Sequence, residues 1–62
     1  MYKVIIVEDE ALIRKGLRYS INWETYKTVV IGEAENGQKG LELIYKVKPD
    51  IVITDVNMPI MS

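Results

Sequence analysis

The sequence predicts an α/β fold, a parallel three-stranded sheet of order 2-1-3 with one helix on each face, and three observations carry that prediction. Val4-Ile5-Ile6-Val7 and Ile51-Val52-Ile53 are β-branched runs with no polar alternation, as expected of strands buried on both faces in the middle of a parallel sheet. Helical spacing fills the stretches between strand-like runs, and strand-helix alternation calls for parallel strands joined by right-handed crossovers. Acidic residues stand where the first and third runs end, Glu8-Asp9-Glu10 and Asp55, and open parallel sheets bind ligands beyond the carboxyl ends of their strands. The order 1-2-3 would also satisfy the connections. Order 2-1-3 is favoured because it opens a switch point between strands one and three and brings Glu8, Asp9 and Asp55 to one crevice.

Taken in order, Val4–Val7 is the first strand and Glu8-Asp9-Glu10 its exit. Asp9 has two readings, a helix N-cap or a site carboxylate, while Glu10 simply suits the start of a helix dipole. From Ala11 to Ile21, Ile13, Leu17 and Ile21 recur every four residues, an amphipathic helix that puts Arg14, Lys15 and Arg18 mostly on the wet side and that Gly16 weakens slightly. Trp23 and Tyr26 fall in the following connection and read as a cover over the lower end of the core. Thr28 to Gly32 is the second strand, which Glu33 and Ala34 either continue or leave. Asn36 then caps a helix from about Gly37 to Val47, because Leu41, Leu43, Ile44 and Val47 follow helical spacing, and Pro49 stops it. Asp50 opens the third strand, about 17 Å from Asp55 at ~3.3 Å per residue, and reads as a solvated turn residue.

Composition narrows the chemistry. The chain has 62 residues, a net charge of −1, and neither cysteine nor histidine. Disulfides, thiolate or imidazole zinc sites and a histidine base are thereby excluded. Oxygen ligands remain, which favour hard cations such as Mg²⁺. The basic residues form no block that would mark a nucleic-acid footprint, and no apolar run can span a bilayer, so a cytoplasmic protein is expected. Carboxylates gathered at one edge repel one another unless a cation neutralises them. Mg²⁺ is usually held by one or two carboxylates and keeps waters for a phosphoryl ligand, and an Asp beside it can act as a nucleophile towards phosphorus.

These residues match a family pattern. Val7-Glu8-Asp9-Glu10, Glu35-Asn36-Gly37 and the run from Pro49 to Pro59 resemble the receiver domain of bacterial two-component response regulators. Arg14-Lys15-Gly16-Leu17 and Asn22-Trp23-Glu24 are closest in character to receivers joined to AraC-type DNA-binding domains. The resemblance implies a flavodoxin-like βαβαβ half, residues 1–62 being the first three strands and two helices of a receiver whose remainder is absent. It implies that Asp55 is the phosphoacceptor for a sensor histidine kinase and that Mg²⁺ is bound by Glu8, Asp9, Asp55 and the main-chain carbonyl of Asn57. Glu8 departs from the commoner Asp-Asp pair. The family's Ser or Thr after a fourth strand and Lys after a fifth have no match here, so the expected module is not switch-competent and is no turnover enzyme. A DNA-binding domain is expected in the full-length parent, with no nucleic-acid binding by this chain.

Other classes fit less well. Aspartate-based phosphohydrolases want a second acid two residues after the nucleophile, where Asn57 stands. A nucleotide-binding module would need glycines where Glu8-Asp9-Glu10 stands. A structural fragment with idle acids is the remaining alternative. In order 2-1-3 the third strand lies at an edge, which leads to the expectation of a homodimer through or near that strand.

Overall fold

In a computed structural model the chain is described over residues 1–55; the expected ligand Asn57 lies outside the described residues. Strand β1 spans Tyr2–Val7, helix α1 Ala11–Ser20, strand β2 Thr28–Ala34, helix α2 Gly37–Val47 and strand β3 Ile51–Thr54, with a single 3₁₀ turn at Trp23–Tyr26 before β2. The sheet is parallel and ordered β2-β1-β3, as predicted.

β1 is the centre. Val4, Ile5 and Ile6 expose no surface and Val7 exposes 4%. Strand side chains alternate between faces. Ile5 and Val7 join Ala34 in a core closed by Leu43, Ile44 and Val47 of α2, which leaves Val4 and Ile6 for the opposite face, where α1 packs on β1. The two helices therefore cover opposite faces.

The pairing of β1 with β2 slips by one residue. Val4 stands opposite Val30 but Ile5 opposite Gly32, so Ile31 is the extra residue of a β-bulge. The slip reverses which face each later residue of β2 meets. Gly32 and Ala34 turn towards α2, and Glu33 turns to the α1 side. β2 therefore runs on through Glu33 and Ala34 instead of fading at Gly32.

Helix ends follow the sequence closely. Asn36 caps α2, its side-chain oxygen accepting the Lys39 N–H at 2.8 Å. Lys48 ends it in the left-handed region, φ 49°, with its N–H donating to the Ile44 carbonyl. In the connection before β2, the Trp23 indole donates to the Arg18 carbonyl at 3.0 Å and the Thr28 hydroxyl to the Trp23 carbonyl at 2.7 Å. Trp23 thus ties the end of α1 to the start of β2, whereas Tyr26 is largely exposed.

Two expectations are corrected. Among the described residues β3 lies at the edge, as order 2-1-3 requires, but Ile51-Val52-Ile53 is not buried on both faces, with Ile51 and Val52 about two-fifths exposed. A β-branched run signals a strand but not how deeply it is buried. On α1, Arg14 and Arg18 are not on the wet side but are half-buried against Glu33, and Ile13 is 46% exposed.

Two of the helical glycines, Gly16 and Gly40, differ in what they allow. A Cβ at Gly40 would lie 2.9 Å from Val7 Cγ2, whereas one at Gly16 would meet nothing. Gly40→Ala should lower stability by about 1 kcal/mol or more, because the stiff Val7 side chain must shift out of a strained 2.9 Å contact. Gly16→Ala should raise it by about 1 kcal/mol through helix propensity alone. Urea unfolding followed by Trp23 fluorescence checks both, and equal gains at the two positions would contradict the close α2–β1 approach.

Candidate functional site

Val7 pairs with Thr54 across β1 and β3, so the next residue on each strand, Glu8 and Asp55, leaves the sheet side by side at its carboxyl edge. The Glu8 N–H donates to the Ala34 carbonyl at 3.0 Å, which prolongs the β1–β2 pairing by one step. Glu8 and Asp55 line one recess of about 200 Å³ with Ile13 and Leu17 of α1 and Ile53 of β3. Asp9 and Asp55 are exposed.

Glu8 is the unusual member. It continues the most buried strand and is itself only 3% exposed, and its Oε2 is buried without a hydrogen-bond partner. Burial, followed by the charges of Asp55, Asp9 and Glu10, pushes its carboxyl above the ordinary glutamate value; a hydrogen bond from the Asp9 backbone works the other way. Among the described residues no three acidic side chains close into a metal cage. The geometry joins Glu8 with Asp55 in one recess and holds Asp9 within electrostatic reach.

The N-cap reading of Asp9 does not hold. Glu10 occupies the cap position of α1, and no side chain caps that helix. Asp50 sits at the far end of β3, as predicted, but is more than a solvated turn. Its carboxylate accepts the Lys3 N–H at 2.7 Å and its N–H donates to the Lys3 carbonyl at 2.8 Å, pinning the start of β3 to β1.

Sequence reasoning missed an ionic cluster behind the acidic loop. Arg14 donates through Nη1 to the Glu8 carbonyl at 2.6 Å and through Nε to Glu33 at 3.2 Å, and Arg18 also pairs with Glu33. The available signal was the four-residue spacing of Arg14 and Arg18 beside Leu17 and Ile21, combined with a lone acid closing an apolar strand.

With this geometry in hand, the chain belongs to the response regulator receiver domain family, whose model matches residues 4–62. It is the receiver part of a two-component response regulator, and the predicted flavodoxin-like order 2-1-3 is the one observed. The chain is similar to the REC domain of AraT, a response regulator from Geobacillus stearothermophilus, at 44% identity and TM-score 0.88, covering 98% of this chain and 47% of that one. It is 44% identical to the transcriptional regulatory protein YesN of Bacillus subtilis over 62 residues, covering 100% of this chain. It is equally identical to the transcriptional regulatory protein HptR of Staphylococcus aureus over 59 residues, covering 95% of this chain. It spans 17% of the length of YesN and 23% of that of HptR.

The ion pairs make a pH prediction. Arg18, burial set against it, and Arg14 together hold Glu33 below its ordinary value of 4.5. The folded value being depressed, the pairing stabilises the fold above the unfolded value and is lost as pH falls through the folded one. Glu33→Gln should therefore cost about 1 kcal/mol at pH 7, an amount typical of partly exposed ion pairs. The difference from wild type should shrink as pH falls below the ordinary glutamate range. Denaturant midpoints of both proteins between pH 7 and pH 3 test it, and a penalty undiminished at low pH would count against the pairing.

Proposed function

We propose that the chain is a phosphoacceptor module that takes a phosphoryl group onto Asp55 from a histidine kinase, with Mg²⁺ as cofactor. The observation that carries this reading is the buried, unpartnered Oε2 of Glu8 beside Asp55 at the carboxyl edge of β1. A carboxylate in that position, crowded by Asp55 and Asp9, fits a hard divalent cation, which needs only one or two carboxylates and completes its shell with water. Glu8, Asp9, Asp55 and the Asn57 carbonyl would hold it. Mg²⁺, when bound, offsets negative charge on the incoming phosphoryl oxygens.

The chain's own contribution is positioning. An Asp55 carboxylate oxygen attacks phosphorus, the new O–P bond forms as the phosphohistidine P–N bond breaks, and the imidazole leaves with that electron pair and takes up a proton from solvent. The product is an acyl phosphate. The structure of RcsB from Salmonella enterica serovar Typhimurium, bound to the promoter rprA in the presence of phosphomimetic BeF₃⁻, supports the reading by likeness, at 29% identity and TM-score 0.76. The names of YesN and HptR support a transcriptional output carried by sequence outside this chain.

Mg²⁺ titration followed through Trp23 fluorescence and amide shifts should saturate in wild type, vanish in Asp9→Ala and Asp55→Asn, and survive in Asp50→Asn. With acetyl phosphate as donor and Mg²⁺ present, mass spectrometry should find phosphorylation on Asp55 alone. Modification elsewhere, or independent of Mg²⁺, would refute the assignment.

On the same reading, a second copy of the chain meets the outer edge of β3. Among the described residues β3 pairs with β1 alone, and its Ile51 and Val52 are about two-fifths exposed. Across a two-fold axis the paired strands would be antiparallel. Sedimentation at micromolar concentration should give a dimer, and a folded monomer with β3 amides as protected as those of β1 would rule it out.

A further inference from the structure

We infer that Arg14, anchored by Glu33, is a positioning residue that holds the Glu8–Glu10 loop in its site-forming shape. Three contacts converge on it. Its Nη1 donates to the Glu8 carbonyl at 2.6 Å, its Nε to Glu33 Oε1 at 3.2 Å, and its backbone N–H closes the first turn of α1 on the Glu10 carbonyl at 2.9 Å. The side chain is 17% exposed, so these bonds are partly shielded from water. The two peptide groups flanking the Glu8 Cα are consequently both held, the Glu8 N–H by the Ala34 carbonyl and the Glu8 C=O by Arg14.

A guanidinium suits this task and an ammonium does not. Its planar fork donates along two fixed directions at once, so one side chain can bridge a backbone carbonyl on β1's exit and a carboxylate on β2. Glu33 supplies the anchor because Arg18, one helical turn further on, pairs with its other oxygen and fixes the carboxylate's orientation. The bulge at Ile31 is what turns Glu33 towards α1. Through its bond to the Glu8 carbonyl, Arg14 acts on the backbone that presents the acidic side chains. Its effect on the loop stands on this geometry alone, whereas its effect on Mg²⁺ rests on the proposed function.

The test uses Arg14→Lys, which keeps the charge and loses the fork, Arg14→Met, and Glu33→Gln. In the metal-free protein, hydrogen exchange at the Glu8 amide should accelerate about tenfold in Arg14→Met, the scale of one lost charge-assisted hydrogen bond. Arg14→Lys and Glu33→Gln should fall between it and wild type. After correction for any change in global stability, the Ile5 and Ile6 amides should stay as in wild type, which a merely structural role would not produce. With the metal alone as probe, Mg²⁺ affinity should fall at least about threefold in Arg14→Lys although the local charge is unchanged. Exchange at Glu8 that tracks Ile5 and Ile6 in every variant would overturn the positioning role. A wild type that binds no Mg²⁺ would instead overturn the proposed function, and the exchange measurement would still decide the role of Arg14.

Discussion

The complete burial of β1 is the constraint on which the rest depends. Its residues from Val4 to Val7 are covered on both faces, and that coverage requires a helix on each side and a strand on each edge. Gly40 is small because α2 must come within van der Waals distance of Val7. Glu8 inherits the same environment. Being the next residue along the most buried strand, it carries a carboxylate into a place where ionisation is costly and one oxygen finds no partner. Hydrophobic burial thus creates the electrostatic tension on which the proposed cation site rests.

The bulge at Ile31 is the second decision of the fold. Without it, strict alternation would send Gly32 and Ala34 to the α1 face and Glu33 under α2, into an apolar core with no cation to meet it. With it, Leu43 packs over the bare backbone of Gly32, and Glu33 meets Arg14 and Arg18. One extra residue settles the packing of α2 and the ionic support of the acidic loop together. Trp23 bonds through its indole to the backbone carbonyl of Arg18, the residue whose side chain pairs with Glu33.

The two faces of the sheet are unequal. α2 packs on the core through Leu43, Ile44 and Val47 and leaves an apolar recess of about 140 Å³ towards β3, whereas α1 has no fully buried residue and leaves a recess towards β3 that Glu8 and Asp55 line. The central strand thus delivers Glu8 to an open recess beside Asp55, which suits the phosphoacceptor role proposed for that residue. Among the described residues no helix is long and apolar enough to cross a membrane. Membership of the receiver family accounts for this layout across nearly the whole chain.

Much of this was legible in the sequence because it depends on local pattern. β-branched runs, helical spacing, Asn36 at a cap and acids at strand ends each follow from a few neighbouring residues, and together they determined the element order, the 2-1-3 sheet and the pairing of Glu8 with Asp55 at one edge. Motif resemblance added the family. Tertiary structure alone decided the rest. Ile51 and Val52 stayed partly exposed because a β-branched run marks a strand and not how deeply it is buried. Asp50 became a clasp for Lys3 because the partner lies far away in sequence. Arg14 and Arg18 left the wet face, and Glu33 met them, because a one-residue bulge reversed the alternation of β2. A bulge is a property of two paired strands, and no single stretch of sequence contains it.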